Sequence, residues 1–126
     1  MSKENQYSLV AREAYLNIVH KRIPFEKAWK EAAENIIASD SSRKKVCPKA
    51  TFIGLCESGL LKNISGSAVS KSKNFAYAKF AISEWNKNKS IPKKEMWSNV
   101  QIKFETAAGH QGQLDIVIGL HEFLIT

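Results

Sequence analysis

Apolar residues at the start of the chain recur at helical spacing. Tyr7, Val10, Ala11, Ala14, Tyr15 and Ile18 fall on one face, which predicts an amphipathic helix. Pro24 suits the first position of a second helix, where its missing N–H has no intrahelical partner anyway. Phe25, Ala28, Trp29, Ala32 and Ile36 continue that stripe. Asp40-Ser41-Ser42 interrupts it with loop-forming residues. A basic loop, Arg43-Lys44-Lys45, leads to Pro48, again placed to open a helix, with Phe52, Ile53, Leu55 and Cys56 as the apolar side. Gly59 stands where a helix C-terminus wants a left-handed residue. Residues 62–74, KNISGSAVSKSKN, read as a linker. Beyond it the pattern restarts with Phe75, Ala78, Ala81, Ile82 and Trp85. Met96, Trp97, Val100 and Phe104 follow Ile91-Pro92, and a Gly-rich break at 108–112 precedes Leu114, Val117, Ile118 and His121. Period-2 strand patterns are missing; QIKFET and FLIT are at most short extended pieces.

The second half resembles the first. Ile53-Gly54-Leu55 and Glu57 fall on Ile118-Gly119-Leu120 and Glu122 at a shift of 65. Ala11 and Ala14 fall on Ala78 and Ala81 at 67, and Ile23-Pro24 and Trp29 on Ile91-Pro92 and Trp97 at 68. The expectation is an all-α domain, 1–126, of six helices. It divides into two tandem, pseudo-twofold related three-helix units, about 7–61 and 75–126. One such unit is marginal alone, because a chain of ~60 residues buries only about 60% of its unfolded surface. Trp29 and Trp97 should be buried at matching places. Gly54 and Gly119 sit mid-helix, where each costs roughly 0.5–1 kcal/mol against alanine. Close backbone approach to a neighbouring helix is the expected reason, with contact to a ligand as the alternative.

The stretch CPKATFIGLCESGLL carries Cys47, Pro48, Lys49, Thr51, Phe52, Gly54, Leu55, Cys56, Gly59 and Leu60. With the Ile-Pro…Trp of each half, SKSKNFAYA and QLDIVIGL, it resembles a family of small bacterial proteins of unknown function. That family carries a Cys-Pro-Lys-x-Thr-Phe-x-Gly-Leu-Cys-x-x-Gly-Leu pattern. The likeness runs over roughly 7–125. It implies one cooperative unit of bacterial or phage type and brings no activity with it.

Charge changes the picture more than composition does. The formal charge is +7, which favours acidic partners. The polar N-terminus and the absence of any run near ~18 apolar residues argue against a signal peptide and a membrane span, so the cytoplasm is the expected compartment. There Cys47 and Cys56 are expected as free thiols; nine residues apart on one helix, they would stand about 13 Å apart, too far for a disulfide.

Candidate chemistry is sparse. Cys47, Cys56, His110 and His121 invite a zinc reading, but structural zinc sites pair their ligands at C-x2–4-C or H-x3–5-H spacing, and these do not. Cys56 on an apolar face is a poor nucleophile, and only Cys47, beside Lys45 and Lys49, could be activated. No catalytic residue, metal or cofactor is expected, and the protein reads as non-enzymatic. The basic loop is the better candidate: Arg43, Lys44, Lys45 and Lys49 surround a helix start with unpartnered N–H groups, a natural phosphate site. Lys71, Lys73 and Lys79 extend it, within a segment 71–94 holding seven lysines and one acid, 7 − 1 = +6. Lysine in place of arginine fits non-specific backbone contact with DNA or RNA. A helix-turn-helix at the second and third helices is disfavoured by a connection longer than the usual 3–4 residues. The alternative is a protein-interaction module, a small regulator or inhibitor docking on a larger protein partner.

Overall fold

The computed structural model describes residues 5–66 and 72–125. Seven α-helices and one 3-10 turn make up its regular structure: α1 (Gln6–Lys21), α2 (Phe25–Ile36), α3 (Asp40–Arg43), α4 (Val46–Ser58), α5 (Lys73–Lys87), α6 (Lys93–Lys103), α7 (Gln113–Leu120) and the turn His121–Phe123. The six expected helices are all present, and α3 is an added single turn. Asp40-Ser41-Ser42 therefore starts a helical turn instead of a loop: the Ser42 N–H donates to Ser39 Oγ at 3.4 Å, a side-chain N-cap. Pro24 and Pro92 occupy the N-cap positions of α2 and α6. Pro48 does not open α4, which begins two residues earlier, but it lies in the first turn, where its lost N–H costs nothing. Gly59 ends α4 at φ +79°, as expected. The linker 62–74 is shorter than expected at its end, because Ser72 caps α5 at the Asn74 N–H (3.1 Å); its centre lies outside the described residues. QIKFET is helix and turn, whereas FLIT supplies Leu124 to an antiparallel bridge with Leu61, flanked by Ile125 N–H to Leu60 O and Lys62 N–H to Phe123 O, both 2.8 Å.

α7 organises the packing. Every one of its residues is buried, and it lies against α1, α4 and α5. Two of those residues are polar and both are partnered. Asp115 meets Lys93 at 2.6 Å, and Gln113 Nε2 donates to Asn74 Oδ1 at 2.9 Å. One apolar cluster joins α1, α2 and α4 with Ile116 and Leu120 of α7. A second joins α5 and α6 with Leu114, Val117 and Ile118. Trp29 and Trp97 are buried, one in each cluster.

Gly54 and Gly119 mark the close approaches. A methyl at Gly54 would lie 2.9 Å from Phe75 Cβ, and one at Gly119 would lie 2.3 Å from the Ser8 carbonyl oxygen. At the shift of 67 that pairs Ala11 with Ala78, Ser8 corresponds to Phe75. So α4 meets the start of α5 at Gly54, and α7 meets the start of α1 at Gly119. Elsewhere the halves differ. Trp97 Nε1 donates to Ala108 O at 3.2 Å, while Trp29 Nε1 has no partner. The α2–α4 connection holds a helical turn that the α6–α7 connection lacks.

Candidate functional site

The basic candidates separate into three groups. Arg43, Lys44 and Lys49 line a cleft of about 720 Å³ formed by α2, α3 and the first turns of α4. Lys45, the N-cap of α4, is exposed and lies outside the lining. Lys73 and Lys79 are exposed on α5; six residues apart, they point about 120° away from each other around the helix and make no single track. Lys71 lies outside the described residues.

Within the cleft the cations are matched by carboxylates. Its wall carries Lys27, Lys30, Arg43, Lys44 and Lys49, but also Glu26, Glu31, Glu34 and Asp40. Lys44 pairs with Asp40 at 3.1 Å and Lys49 with Glu26 at 3.7 Å. All four side chains are well exposed, so each pair contributes under ~1 kcal/mol and can exchange partners. Arg43 is held more firmly, its Nε–H donating to Ile37 O at 2.6 Å. The cleft is therefore not purely basic: acids from α2 and α3 offset much of the loop's positive charge, which charge counting along the loop alone does not register.

The floor of the cleft includes Trp29 and Ala33. Trp29 packs against Phe52, ring centroids 5.3 Å apart, and is only 3% exposed. Its Nε1–H is the one buried side-chain donor without a partner among the described residues. An unmet buried donor costs about 1–3 kcal/mol, and this one is closed off from the surface. The sequence hid this feature, because a tryptophan on an apolar stripe reads as core; the alternating charges of Glu26, Lys27, Lys30, Glu31 and Glu34 were its only visible sign. Beside it, the first turn of α4 has no side-chain cap, leaving N–H groups for an acceptor.

For the helix-turn-helix alternative α4 has only a narrow stripe to offer. It buries Pro48, Thr51, Phe52, Gly54, Leu55 and Cys56 and packs on α2, α5 and α7, which leaves Val46, Lys49, Ala50, Ile53 and Glu57 exposed or half-buried along one side. Cys47 sits at the second helical position of α4, and its carbonyl accepts the Thr51 hydroxyl at 2.8 Å. Cys47 and Cys56 are both free thiols. Burial, reinforced by Glu57, pushes the Cys56 thiol far above its ordinary pKa. Among the described residues no three His, Cys, Asp or Glu side chains converge to hold a metal ion, and no helix is long and apolar enough to cross a membrane.

A family model described as "Family of unknown function (DUF6979)" matches residues 4–124. The chain belongs to DUF6979. No curated protein and no solved structure matches it. For this DUF6979 chain the cleft is thus characterised by its own geometry: a polar trough of both signs, the buried Trp29 beneath it and an open helix start at its edge.

Proposed function

We propose that this DUF6979 protein is a non-enzymatic interaction module that docks an extended segment of mixed charge, from a partner protein, in the α2–α3–α4 cleft. The observation that carries the reading is a cleft walled by both signs of charge, with the weak exposed pairs Lys44–Asp40 and Lys49–Glu26 among its lining. A peptide brings side chains of either charge that can exchange into the weak pairs Lys44–Asp40 and Lys49–Glu26. A phosphate backbone brings one sign only and would meet Glu26, Glu31, Glu34 and Asp40. The buried, pKa-raised Cys56 gives no support to a nucleophilic enzyme.

The test is a displayed-peptide selection on the purified protein, followed by titration of selected peptides while the Trp29 indole N–H resonance is observed; Trp29→Phe identifies that resonance. Selected peptides should move it and should bind Lys49→Glu at least about tenfold more weakly, the worth of one charge-assisted contact. Peptides that leave the resonance unmoved and bind Lys49→Glu as tightly as wild type would falsify the cleft. Nucleic acid is the competing outcome. If a labelled duplex or single strand binds instead, with a salt slope near −0.9 per phosphate on the duplex that Lys44→Ala/Lys45→Ala reduces, the backbone-contact reading replaces this one.

A further inference from the structure

A second groove, of about 530 Å³, runs along α6 and is lined by Lys93, Lys94, Trp97, Ser98, Gln101 and His110. Positions 93, 97 and 101, and 94 and 98, follow one another at a helical turn's spacing, so one side of α6 supplies five of the six. His110 comes from the loop before α7 and stands against Trp97, ring centroids 5.2 Å apart at 72°.

Two contacts decide what chemistry the groove offers. The Leu114 backbone N–H donates to His110 Nε2 at 3.1 Å. A ring nitrogen that accepts is unprotonated, so the neutral imidazole carries its hydrogen on Nδ1. That Nδ1–H has no acceptor among the described residues. Lys93, by contrast, is committed, its Nζ lying 2.6 Å from Asp115 Oδ1, which cancels the buried carboxylate behind the groove. Trp97 Nε1 and Gln101 Nε2 are also committed, both donating to Ala108 O, at 3.2 and 3.0 Å. The Lys94 ammonium is exposed, with no anion paired to it among the described residues. Three donors therefore remain: the Lys94 ammonium, the Ser98 hydroxyl and His110 Nδ1–H. No uncompensated carboxylate lines the groove, and an aromatic wall stands beside the donors. The first turn of α6 reinforces the sign, since Pro92 caps it without a side-chain acceptor and a helix start carries partial positive charge.

We propose that this groove binds a small ligand carrying a carboxylate or phosphate on a flat apolar body, the anion received by Lys94 and His110 Nδ1–H and the body resting along Trp97. The inference stands apart from the docking cleft, which shares none of these residues.

The test is a titration of the intact protein with benzoate, phenyl phosphate, inorganic phosphate and chloride. The readouts are the Trp97 indole N–H and the His110 ring resonances, assigned with Trp97→Phe and His110→Gln. Benzoate or phenyl phosphate should shift both saturably and bind more tightly than inorganic phosphate; the tighter of the two names the anion. Lys94→Gln, an exposed change that leaves the fold alone, should weaken the better ligand about tenfold. Three results would each overturn the proposal: no saturable shift with either aromatic anion, equal shifts with all four including chloride, or unchanged affinity in Lys94→Gln.

Discussion

Replacing Gly119 by alanine sets two opposing effects against each other, and the structure says which wins. A helical glycine exchanged for alanine gains about 0.5–1 kcal/mol. The new methyl, however, would lie 2.3 Å from Ser8 O and 2.8 Å from Ser8 Cα. Those are backbone atoms of α1, which cannot rotate away, so the two helices must part by about 1 Å to reach ordinary contact distance. Overpacking of this kind costs ~1–3 kcal/mol. Parting also strains the bond from Ser8 Oγ–H to Asp115 O, 2.7 Å and buried; its loss is worth about 1–3 kcal/mol. The net expectation is a destabilisation of about 3 kcal/mol. At Gly54 the obstacle is Phe75, with Cβ at 2.9 Å and Cδ1 at 3.1 Å. A side chain yields more readily than a backbone, so Gly54→Ala should cost about 0–2 kcal/mol. Equilibrium unfolding in urea resolves the two, since a slope of about 1–3 kcal/mol/M turns 3 kcal/mol into a midpoint shift above ~1 M. A Gly119→Ala protein as stable as wild type, or less damaged than Gly54→Ala, would show that glycine does not set the α1–α7 spacing.

Further expectations concern titration, backbone strain and thiols. Burial first, then Lys93, lowers the His110 pKa, with Asp115 opposing. The folded state thus prefers the neutral ring that accepts from Leu114 N–H, so His110 contributes stability above its unfolded pKa and that contribution is lost as pH falls. Urea midpoints should drop between about pH 7 and pH 5, less steeply in His110→Gln, with part of the slope remaining from His121, whose pKa burial also lowers; an unchanged slope in His110→Gln would rule out the cap. Glu105 holds φ +49° just past α6, where a side chain costs about 1 kcal/mol that glycine avoids. Glu105→Gly should therefore raise the thermal midpoint, and a lowered one would contradict the strain argument. A thiol reagent should label Cys47 in the native protein and leave Cys56 until denaturant is added; equal native rates at both would show that α4 opens readily.

The helices were legible because their stripes are regular, and α1 with Tyr7 to Ile18 is the plainest case. Boundaries at Pro24 and Pro92 were off by a single residue, since proline is at home both at the cap and just inside it. Pro48 misled more, because α4 recruits Val46 and Cys47 before it. The one-turn α3 was invisible, as four residues cannot display a period. The close backbone approach expected of the matching glycines holds at Gly119, which faces the Ser8 backbone, whereas Gly54 faces the Phe75 side chain. The candidate surface was less legible. Runs such as Arg43-Lys44-Lys45 advertise charge, but the cancelling carboxylates come from α2 and α3, brought in by packing. Neither the unpartnered indole of Trp29 nor the tautomer of His110 has any signature along the chain.

The burial of α7 on all sides has a consequence for how the protein is made. During synthesis α1 leaves the ribosome early, with Val10, Ala11 and Ala14 prepared for contact, but the helix it lies against is translated about a hundred residues later, as the bond between Ser8 and Asp115 spans 107 positions. Until α7 has cleared the exit tunnel, α1, α4 and α5 share an unfilled slot, and the bridge between Leu61 and Leu124 cannot close. The nascent chain must therefore wait with its apolar faces open, a period in which chaperones can engage it. A ribosome stalled before Gln113 would hold a chain that has most of its helices and no finished core.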